Sequence, residues 1–238
     1  MRILLTFLLI AQKIYWDHDP GVVAPHLNEK TAAEYTEEAR LARLEGSVGI
    51  TLMVDADATL REIHVSRSLG LGLDQKAVEA VREWHFAPGT KDGAPVPVLM
   101  HVDVGFRMLG ARNDWHLDRA SFETARGASE PVVLEAEFPA SANAPATVVV
   151  SFTVDAQGNP SDIHVETSSD AHWESAVAEA MAKWKFQPSL QAGKPIPVHA
   201  TFRFVAGAPS PSARYEPRAT ATGSPQTGSP LPVKQSAN

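Results

Sequence analysis

The sequence EAVREWHFAPGTKDGAPVPV, residues 79–98, returns as EAMAKWKFQPSLQAGKPIPV, residues 179–198. Every identity between the two stretches falls at the same offset. Identities held at one register indicate a duplicated unit. This repeat is longer than solenoid repeats, which have about 20–50 residues. Each copy is therefore predicted to be a small domain. The matching residues include Trp84 and Trp184, Phe86 and Phe186, Gly93 and Gly193, and, upstream, VDA at 54–56 and IHV at 63–65.

The hydrophobic pattern within each copy changes between the period of a strand and the period of a helix. Apolar residues at every second position predict strands from Val48 to Val54, at residues 62–66, and from Val96 to Phe106. Asp74 is expected to cap a helix that ends near Trp84, which we interpret as a core anchor. The sequence thus predicts an α+β fold with two tandem domains, each a three-stranded antiparallel sheet packed against one or two helices.

The two copies differ at the turn between their first two strands. The second copy reads DAQGN, in which Gly158 supplies the positive φ that a bulged hairpin favours. The first copy has Ala58 at this position, and a residue with a Cβ is strained at positive φ. We therefore expect the first copy to lose some stability at this turn.

A further helix is predicted before the sheet of the first copy. Thr31 with Glu34 fits a capping box, and Thr36 is a second candidate for the helix start. Residues at helical spacing follow, and Gly46 is expected to end the helix.

The composition limits the classes of partner and of chemistry. The chain has 238 residues and a formal net charge of -7, so neither nucleic acid nor anionic lipid is an expected partner. It contains no cysteine, which excludes disulfides and thiol chemistry.

The apolar run from Ile3 to Ala11 has about nine residues, half of the roughly 20 that span a bilayer, but this length fits the core of a signal peptide. A truncated membrane anchor and a buried strand are the alternatives.

These patterns divide the chain into five segments. Asp17–Asn28 is polar and contains Pro and Gly, which is typical of a linker. The spacer between the copies contains Trp115, His116 and Phe122, which indicates that it packs against a domain. The predicted segments are a signal-like or truncated-anchor segment with a linker (1–28), a first domain (29–108), a spacer (109–129), a second domain (130–206) and a disordered tail rich in Pro, Ser and Thr (207–238).

The prolines before the last strand indicate which way its backbone faces. Proline has no N–H to donate, so within a sheet it is confined to edges, strand starts and bulges. Pro95 and Pro97 are two residues apart and therefore orient their backbone in the same direction, away from the paired neighbour. Residues of the same parity further along the strand should then present unpaired N–H and C=O groups.

Such an unpaired edge can accept an incoming strand as a peptide-binding device. The alternative is that the other copy, or a second chain in a homodimer, covers it. The predicted edge residues are Leu99, His101 and Asp103 in the first copy and His199, Thr201 and Arg203 in the second.

These residues closely resemble the C-terminal domain of TonB-type energy transducers. The resemblance runs from Tyr35 to Phe106 and rests on the EAR before Gly46, the LD that opens the second helix, the W-x-F-x-P and the G-x-P-V, which stand in order. The second copy carries the pattern only from Val148 to Phe204. Its upstream segment, PVVLEAEFPASANAP, has no EAR helix and is predicted to be extended.

The resemblance implies a periplasmic domain that pairs with the TonB box, an extended segment of an outer-membrane receptor, beside its last strand. It also implies that an inner-membrane proton-driven complex supplies the energy for transport, and that this energy is transmitted as a mechanical pull. We add Tyr35 and Arg40, from the matching YTEEAR stretch, to the candidate peptide-binding residues. Family members usually have Pro where this chain has Thr36, and a full transducer has a membrane helix and a Pro-rich spacer before the domain. We expect a periplasmic protein, or one associated with the inner membrane if its N-terminus is truncated.

No catalytic motif is found, since H-E-x-x-H, G-x-S-x-G and P-loop patterns are absent from the sequence. Asp17-His18-Asp19 is a weak candidate metal site in a polar segment, and His64 and His164 are expected on an outward strand face. We therefore expect no enzymatic activity, no cofactor and no metal. The alternative functions are a non-transducing structural module whose two domains pair edge to edge, and the detached periplasmic part of a sensor.

Overall fold

The computed structural model describes residues 13–108, 115–140, 142 and 144–207. The apolar run at residues 3–11, the beginning of the predicted spacer at 109–114 and the predicted tail beyond Gly207 lie outside the described residues. In the described part, no helix is long and apolar enough to cross a membrane.

The described residues form two halves of related architecture, residues 13–108 and 115–207. The first half contains β1 (Tyr15–Trp16), β2 (Val22–Val23), β3 (His26–Glu29), α1 (Glu37–Leu41), β4 (Gly46–Val54), β5 (Leu60–Arg67), α2 (Leu73–Arg82), β6 (His85–Ala87), β7 (Thr90–Lys91), β8 (Ala94–Pro95) and β9 (Val98–Phe106). The second half contains β10 (His116–Glu123), β11 (Val132–Glu135), β12 (Ala146–Val154), β13 (Pro160–Ser168), α3 (His172–Met181), β14 (Lys185–Gln187), β15 (Ser189–Gln191), β16 (Lys194–Ile196) and β17 (Val198–Ala206).

Each half is built around a four-stranded sheet, with strand order β1-β9-β4-β5 in the first half and β10-β17-β12-β13 in the second. The three long strands in each sheet are antiparallel neighbours, as the sequence predicts. The segment that precedes each copy contributes the fourth strand. With helices packed on these sheets, the protein has the predicted α+β fold.

The long helices α2 and α3 cover one face of the two sheets. Each helix buries an apolar stripe, which includes Ala77 and Val81 in α2 and Val177 and Met181 in α3. The tryptophans that follow these helices, at positions 84 and 184, are also buried in the core, as predicted. Burying an aromatic side chain of this size stabilises the fold by roughly 3 kcal/mol.

The short helix α1 uses the second of its two predicted caps. The hydroxyl of Thr36 accepts a hydrogen bond from the amide of Ala39 at 3.2 Å. The helix already ends at Leu41, and Gly46 is the first residue of β4, so the prediction that Gly46 ends the helix is wrong. Among the described residues of the second half, no helix precedes α3.

Asp74 lies in the first turn of α2 and is not its N-cap, contrary to the prediction. The N-cap is Gly72, which has a left-handed conformation. The carboxylate of Asp74 instead accepts a hydrogen bond of 2.8 Å from the amide of Leu69, in the loop before the helix.

The predicted linker Asp17–Asn28 is largely folded. Its strands β2 and β3 pair with β7 and β6, and β11 pairs with β14 in the same way in the second half. The indole N–H of Trp84 donates to the carbonyl of Thr31 at 2.8 Å, and that of Trp184 donates to the carbonyl of Glu137 at 2.7 Å. The linker prediction is wrong because pairing with strands much later in the chain, and not local composition, sets the conformation of this segment.

The described part of the spacer joins the two halves. The amide of Leu117 donates to the carbonyl of Arg43 at 3.2 Å, and its carbonyl accepts from the amide of Glu45 at 2.8 Å. The amide of Ala120 donates to the carbonyl of Leu69 at 3.1 Å. The buried apolar residues of both halves form one continuous cluster, so the spacer packs against the fold as predicted.

Candidate functional site

The last strand of the first half, β9, presents one backbone edge away from its partner β4. Its even-numbered residues from Val98 to Phe106 are buried, and its odd-numbered residues lie on the opposite face. The carbonyls of Pro97 and Leu99 accept hydrogen bonds from the N-terminal segment, on the side away from β4. Backbone groups alternate in direction along a strand, so those of His101 and Asp103 also face outward. The direction inferred from the prolines is therefore correct.

A short part of the N-terminal segment covers the beginning of this edge. Strand β1 runs parallel to β9, with Tyr15 opposite Val98 and Trp16 opposite Leu99. The amide of Asp17 donates to the carbonyl of Leu99 at 3.0 Å. The prediction that the backbone of Leu99 is unpaired is therefore wrong, because an extended segment of the same chain reaches it.

From Met100 to Phe106, no strand of the described part of the chain pairs with the outer edge of β9. We term this stretch the open edge. Its outward residues direct their side chains over the sheet, since the Asp103 carboxylate accepts from Arg67 at 2.6 Å and His101 Nδ1 lies 3.3 Å from the Ser66 hydroxyl. Both partners lie on β5, beyond β4, so these side chains do not cover the backbone of the open edge.

The corresponding edge of the second half is closed. Strand β10 pairs antiparallel with β17, from His116 opposite Val205 to Glu123 opposite His199. Within this register Thr201 lies opposite Ser121, and Arg203 lies opposite Arg119 and forms an ion pair with Asp118. The prediction of an open edge at His199, Thr201 and Arg203 is therefore wrong.

The spacer closes this edge with apolar side chains that strand β10 directs into the core, and a register shift lies between Leu117 and Arg119. Leu117 and Ala120 are buried, and the ring of Phe122 packs edge-on against Phe202 with the centroids 5.5 Å apart. The covering strand thus comes from the spacer. In the described part of the chain, the central sheets of the two halves do not pair with each other edge to edge.

Tyr35 is half-buried and packs against the core on the helix side of the first sheet. Its ring packs edge-on against Phe106 with the centroids 5.4 Å apart, and its hydroxyl donates to the carbonyl of Leu44 at 3.1 Å. Burial, and next the negative charge of Glu45, raise the pKa of the Tyr35 hydroxyl above its usual range. The hydroxyl therefore stays protonated and acts as a structural donor.

Arg40 lies next to Tyr35, with its guanidinium over the ring at 5.8 Å from the centroid. The Tyr35 ring contacts the buried face of β9, whereas the side chains of His101 and Asp103 lie on the opposite face. The structure therefore places the candidate residues in two groups and does not bring them together in one site.

Sequence reasoning missed a small cleft beside the open edge, with a volume of only about 10 Å³. Its lining residues are Leu27, Lys30, Trp84, Phe86, Val102 and Asp103. The ammonium of Lys30 lies 5.1 Å from the ring centroid of Trp84. The signal that could have indicated the cleft is the change from Phe202 in the second copy to Val102 in the first, which removes an aromatic ring from this position.

Two of the histidine candidates, His18 and His64, each pair with one carboxylate. His18 Nδ1 lies 2.9 Å from Asp17, and His64 Nε2 lies 3.2 Å from Glu62, with both histidines well exposed. Within residues 13–108, 115–140, 142 and 144–207, no group of three or more His, Cys, Asp or Glu residues could hold a metal ion.

Comparison with known proteins relates both halves to one family. A family model described as "Gram-negative bacterial TonB protein C-terminal" matches residues 31–108 and 137–206. "Protein TonB" of Vibrio cholerae serotype O1 (strain ATCC 39315 / El Tor Inaba N16961) is 34% identical over 77 residues, which cover 32% of this chain and 32% of that protein. The match therefore spans about a third of this relative's length.

Among solved structures, the solution NMR structure of the Pseudomonas aeruginosa TonB CTD aligns with 25% identity and a TM-score of 0.30, covering 37% of this chain and 93% of that one. The two segments that match the family model lie one in each half and together make up more than half of the chain. They contain β9 with its open edge and β17 with its closed edge. The chain belongs to the TonB C-terminal family.

Proposed function

We propose that this protein is a non-enzymatic periplasmic protein of energy-coupled transport, whose first half binds the TonB box of an outer-membrane receptor by strand addition. The observation that supports this proposal is the open edge of β9, which no described strand covers from Met100 to Phe106. An incoming extended segment gains main-chain hydrogen bonds at such an edge, and its side chains then set the specificity. In this proposal the energy comes from an inner-membrane proton-driven complex.

The second half has a structural role in this proposal. Strand β10 already occupies the edge of β17, so of the two last strands in the described part of the chain only β9 keeps an unpaired outer edge. A bound segment would compete with β10 at the second half, whereas at the first half it meets the unpaired backbone of His101 and Asp103. We therefore expect one bound segment per chain.

The proposal is tested by titrating the protein with ten-residue synthetic peptides, each spanning the TonB box of one outer-membrane receptor of the same bacterium. His101→Pro removes an outward N–H without removing a hydrogen bond to β4, so peptide affinity should fall at least thirtyfold. His101→Ala keeps this N–H and should lose far less affinity. Fluorescence anisotropy gives the dissociation constants, and the NMR amide spectrum shows whether each variant keeps the native fold.

Thr201→Pro is the matched control, because it makes the same change at the equivalent position of the closed edge. It should destabilise the pairing of β10 with β17 but leave peptide affinity unchanged. Equal affinity of His101→Pro and the unaltered protein would rule out the open edge as the site. A second copy of this chain is the competing occupant, and a concentration-dependent dimer that His101→Pro abolishes would identify it.

A further inference from the structure

The second sheet carries a cavity of about 320 Å³ that opens to solvent. It lies at the end of β17, where Arg203 and Val205 alternate with the buried Phe202 and Phe204, so it is on the face opposite the buried core. Sites for small molecules usually have about 300–1,000 Å³, and water takes about 30 Å³ per molecule in the liquid. The cavity therefore has room for a molecule of roughly ten non-hydrogen atoms.

Two charged residues, Arg203 and Asp118, line this cavity. They form an ion pair in which Asp118 is largely buried, whereas 42% of the Arg203 side chain is exposed. A guanidinium has several N–H donors in a planar fork. Asp118 does not satisfy all of them, since Nε of Arg203 has no hydrogen-bond partner in the described part of the chain. Arg203 therefore keeps donors for a further acceptor.

A second arginine adds positive charge beside the cavity. Arg119 of β10 is exposed and lies directly opposite Arg203 in the register of the two strands. Like charges directly opposite each other in a sheet are destabilising. Among the ion pairs of the described residues, Asp118 is the only carboxylate that meets either arginine. One positive charge is thus left uncompensated, on a chain whose formal net charge is -7, and an anion bound at Arg203 would reduce the repulsion.

Other lining residues supply a hydroxyl and an apolar surface. The Ser169 hydroxyl accepts a hydrogen bond of 2.9 Å from the amide of Thr147. A hydroxyl that accepts in this way still has its own O–H to donate. Pro145 and Val205 contribute apolar side chains to the lining. These groups suit a molecule that has a negatively charged end and an apolar body.

The first half lacks this arrangement at the equivalent positions. Asp103 stands in place of Arg203, and Arg67 already neutralises it at 2.6 Å. Gly105 stands in place of Val205 and offers no apolar side chain. The exchanges of Asp for Arg and of Gly for Val both favour an anionic, partly apolar ligand in the second half alone.

We propose that the cavity of the second half binds a small carboxylate with a short apolar chain. The carboxylate accepts hydrogen bonds from the guanidinium of Arg203, a pairing that is geometrically favourable and charge-assisted, and from the hydroxyl of Ser169. Asp118 holds the guanidinium in place, and the apolar chain lies against Pro145 and Val205. This site is separate from the open edge of β9 and does not depend on strand addition there.

The inference is tested first with ligands that differ in one group each. Hexanoate is the probe, hexanamide is its uncharged counterpart, and acetate lacks the apolar chain. Each is titrated into the full-length protein, and NMR amide shifts give the dissociation constants. Hexanoate should bind at least tenfold more tightly than hexanamide and at least fivefold more tightly than acetate. The largest shifts should fall on Thr147, Ser169 and Val205.

Variants then locate the carboxylate. Arg203→Gln removes the charge and should weaken hexanoate binding at least tenfold, whereas Arg67→Gln, the matched control on the first sheet, should leave it unchanged. Val205→Gly installs the first half's residue and should reduce the preference for hexanoate over acetate to less than twofold. Arg203→Gln leaves the carboxylate of Asp118 buried without its partner. If that variant does not fold, Arg203→Gln combined with Asp118→Asn takes its place, with the same loss expected.

Two results would overturn the inference. Hexanoate that binds the unaltered protein no more tightly than hexanamide, or not at all, would show that there is no carboxylate site, and this measurement needs no variant. Equal weakening of hexanoate binding by Arg203→Gln and Arg67→Gln would show that the carboxylate does not bind at Arg203.

Discussion

The amide of Phe186 donates a hydrogen bond of 2.9 Å to the carbonyl of Gly158, which ties the hairpin turn of the second half to the strand after its helix. Gly158 has φ 83°, and a Cβ at this residue would overlap the carbonyl oxygen of Phe186. In the first half, Ala58 occupies the equivalent turn position and is held at φ 69°. The strain predicted for this turn from the sequence is therefore present in the structure.

The two turns should respond in opposite directions to exchange of these residues. Gly158→Ala adds left-handed strain and displaces a backbone contact, so it should lower the free energy of unfolding by about 2–4 kcal/mol. Ala58→Gly relieves the strain in the first half and should raise the free energy of unfolding by about 1 kcal/mol. Urea denaturation followed by tryptophan fluorescence and circular dichroism measures both, and a loss of stability in Ala58→Gly would contradict this account.

Gly70 is the second position where a glycine allows close approach, here between the two halves. It has φ 98°, and a Cβ would overlap the carbonyl oxygen of Ala120 on β10. Gly70→Ala should therefore push β10 away from the first half and lower the free energy of unfolding by about 2–4 kcal/mol. The measurement is urea denaturation, with chemical shift changes expected along β10.

Gly93→Ala is the control for Gly70→Ala. Gly93 has a similar conformation, φ 81°, but a Cβ there would meet no atom within 4 Å. Gly93→Ala should lower the free energy of unfolding only by the cost of holding a residue with a Cβ at positive φ, about 1 kcal/mol. Equal losses in the two variants would show that the contact with Ala120 contributes nothing.

Asp155 should make the stability of the second half depend on pH in the acid range. Its carboxylate accepts hydrogen bonds from the amides of Asn159 at 2.8 Å and Gln157 at 2.9 Å. These bonds, with the largest effect from Asn159, lower the pKa of Asp155 from its ordinary value of 3.8. A lowered pKa in the folded state stabilises the fold above the unfolded pKa, and this contribution disappears as pH falls through the folded pKa.

Asp155→Asn keeps an acceptor but lacks the charge, so it should be less stable than the unaltered protein at pH 7. The difference should shrink as the pH falls below about 4, because the aspartate of the unaltered protein is then protonated. Thermal unfolding at several pH values between 7 and 2.5 measures the difference. A difference that does not change over this range would show that the charge of Asp155 is not the cause.

The core of each half follows from short-range patterns in the sequence. Alternation from Val48 to Val54 and helical spacing before Trp84 predict β4 and α2, because these periods depend only on neighbouring residues. The proline parity also predicts the direction of the edge of β9 correctly. It acts through a local property, the absence of an N–H at Pro97.

The strands that cover the edges of β9 and β17 could not be predicted in the same way. Leu117 and Ala120 are three residues apart and are both buried because the register shifts between Leu117 and Arg119, and nothing local specifies that this strand pairs with β17. Likewise, the segment Asp17–Asn28 has the composition of a linker, yet its strands pair with residues near Thr90. Pairing between distant segments depends on the whole fold. The sequence therefore predicted which way the backbone of the last strand faces, but not how much of its edge other strands cover.

His101 and Thr201 hold equivalent positions on the two last strands and should differ in amide hydrogen exchange. The amide of Thr201 faces β10, whereas that of His101 faces the open edge, so His101 should exchange at least a hundredfold faster. Val102 and Phe202 provide the internal control, because their amides face β4 and β12 and should both exchange slowly. Fast exchange at Val102 as well would mean that the whole first half opens. Slow exchange at both His101 and Thr201 in the free protein would mean that the edge is already occupied, and strand addition at β9 would then require displacement of that occupant.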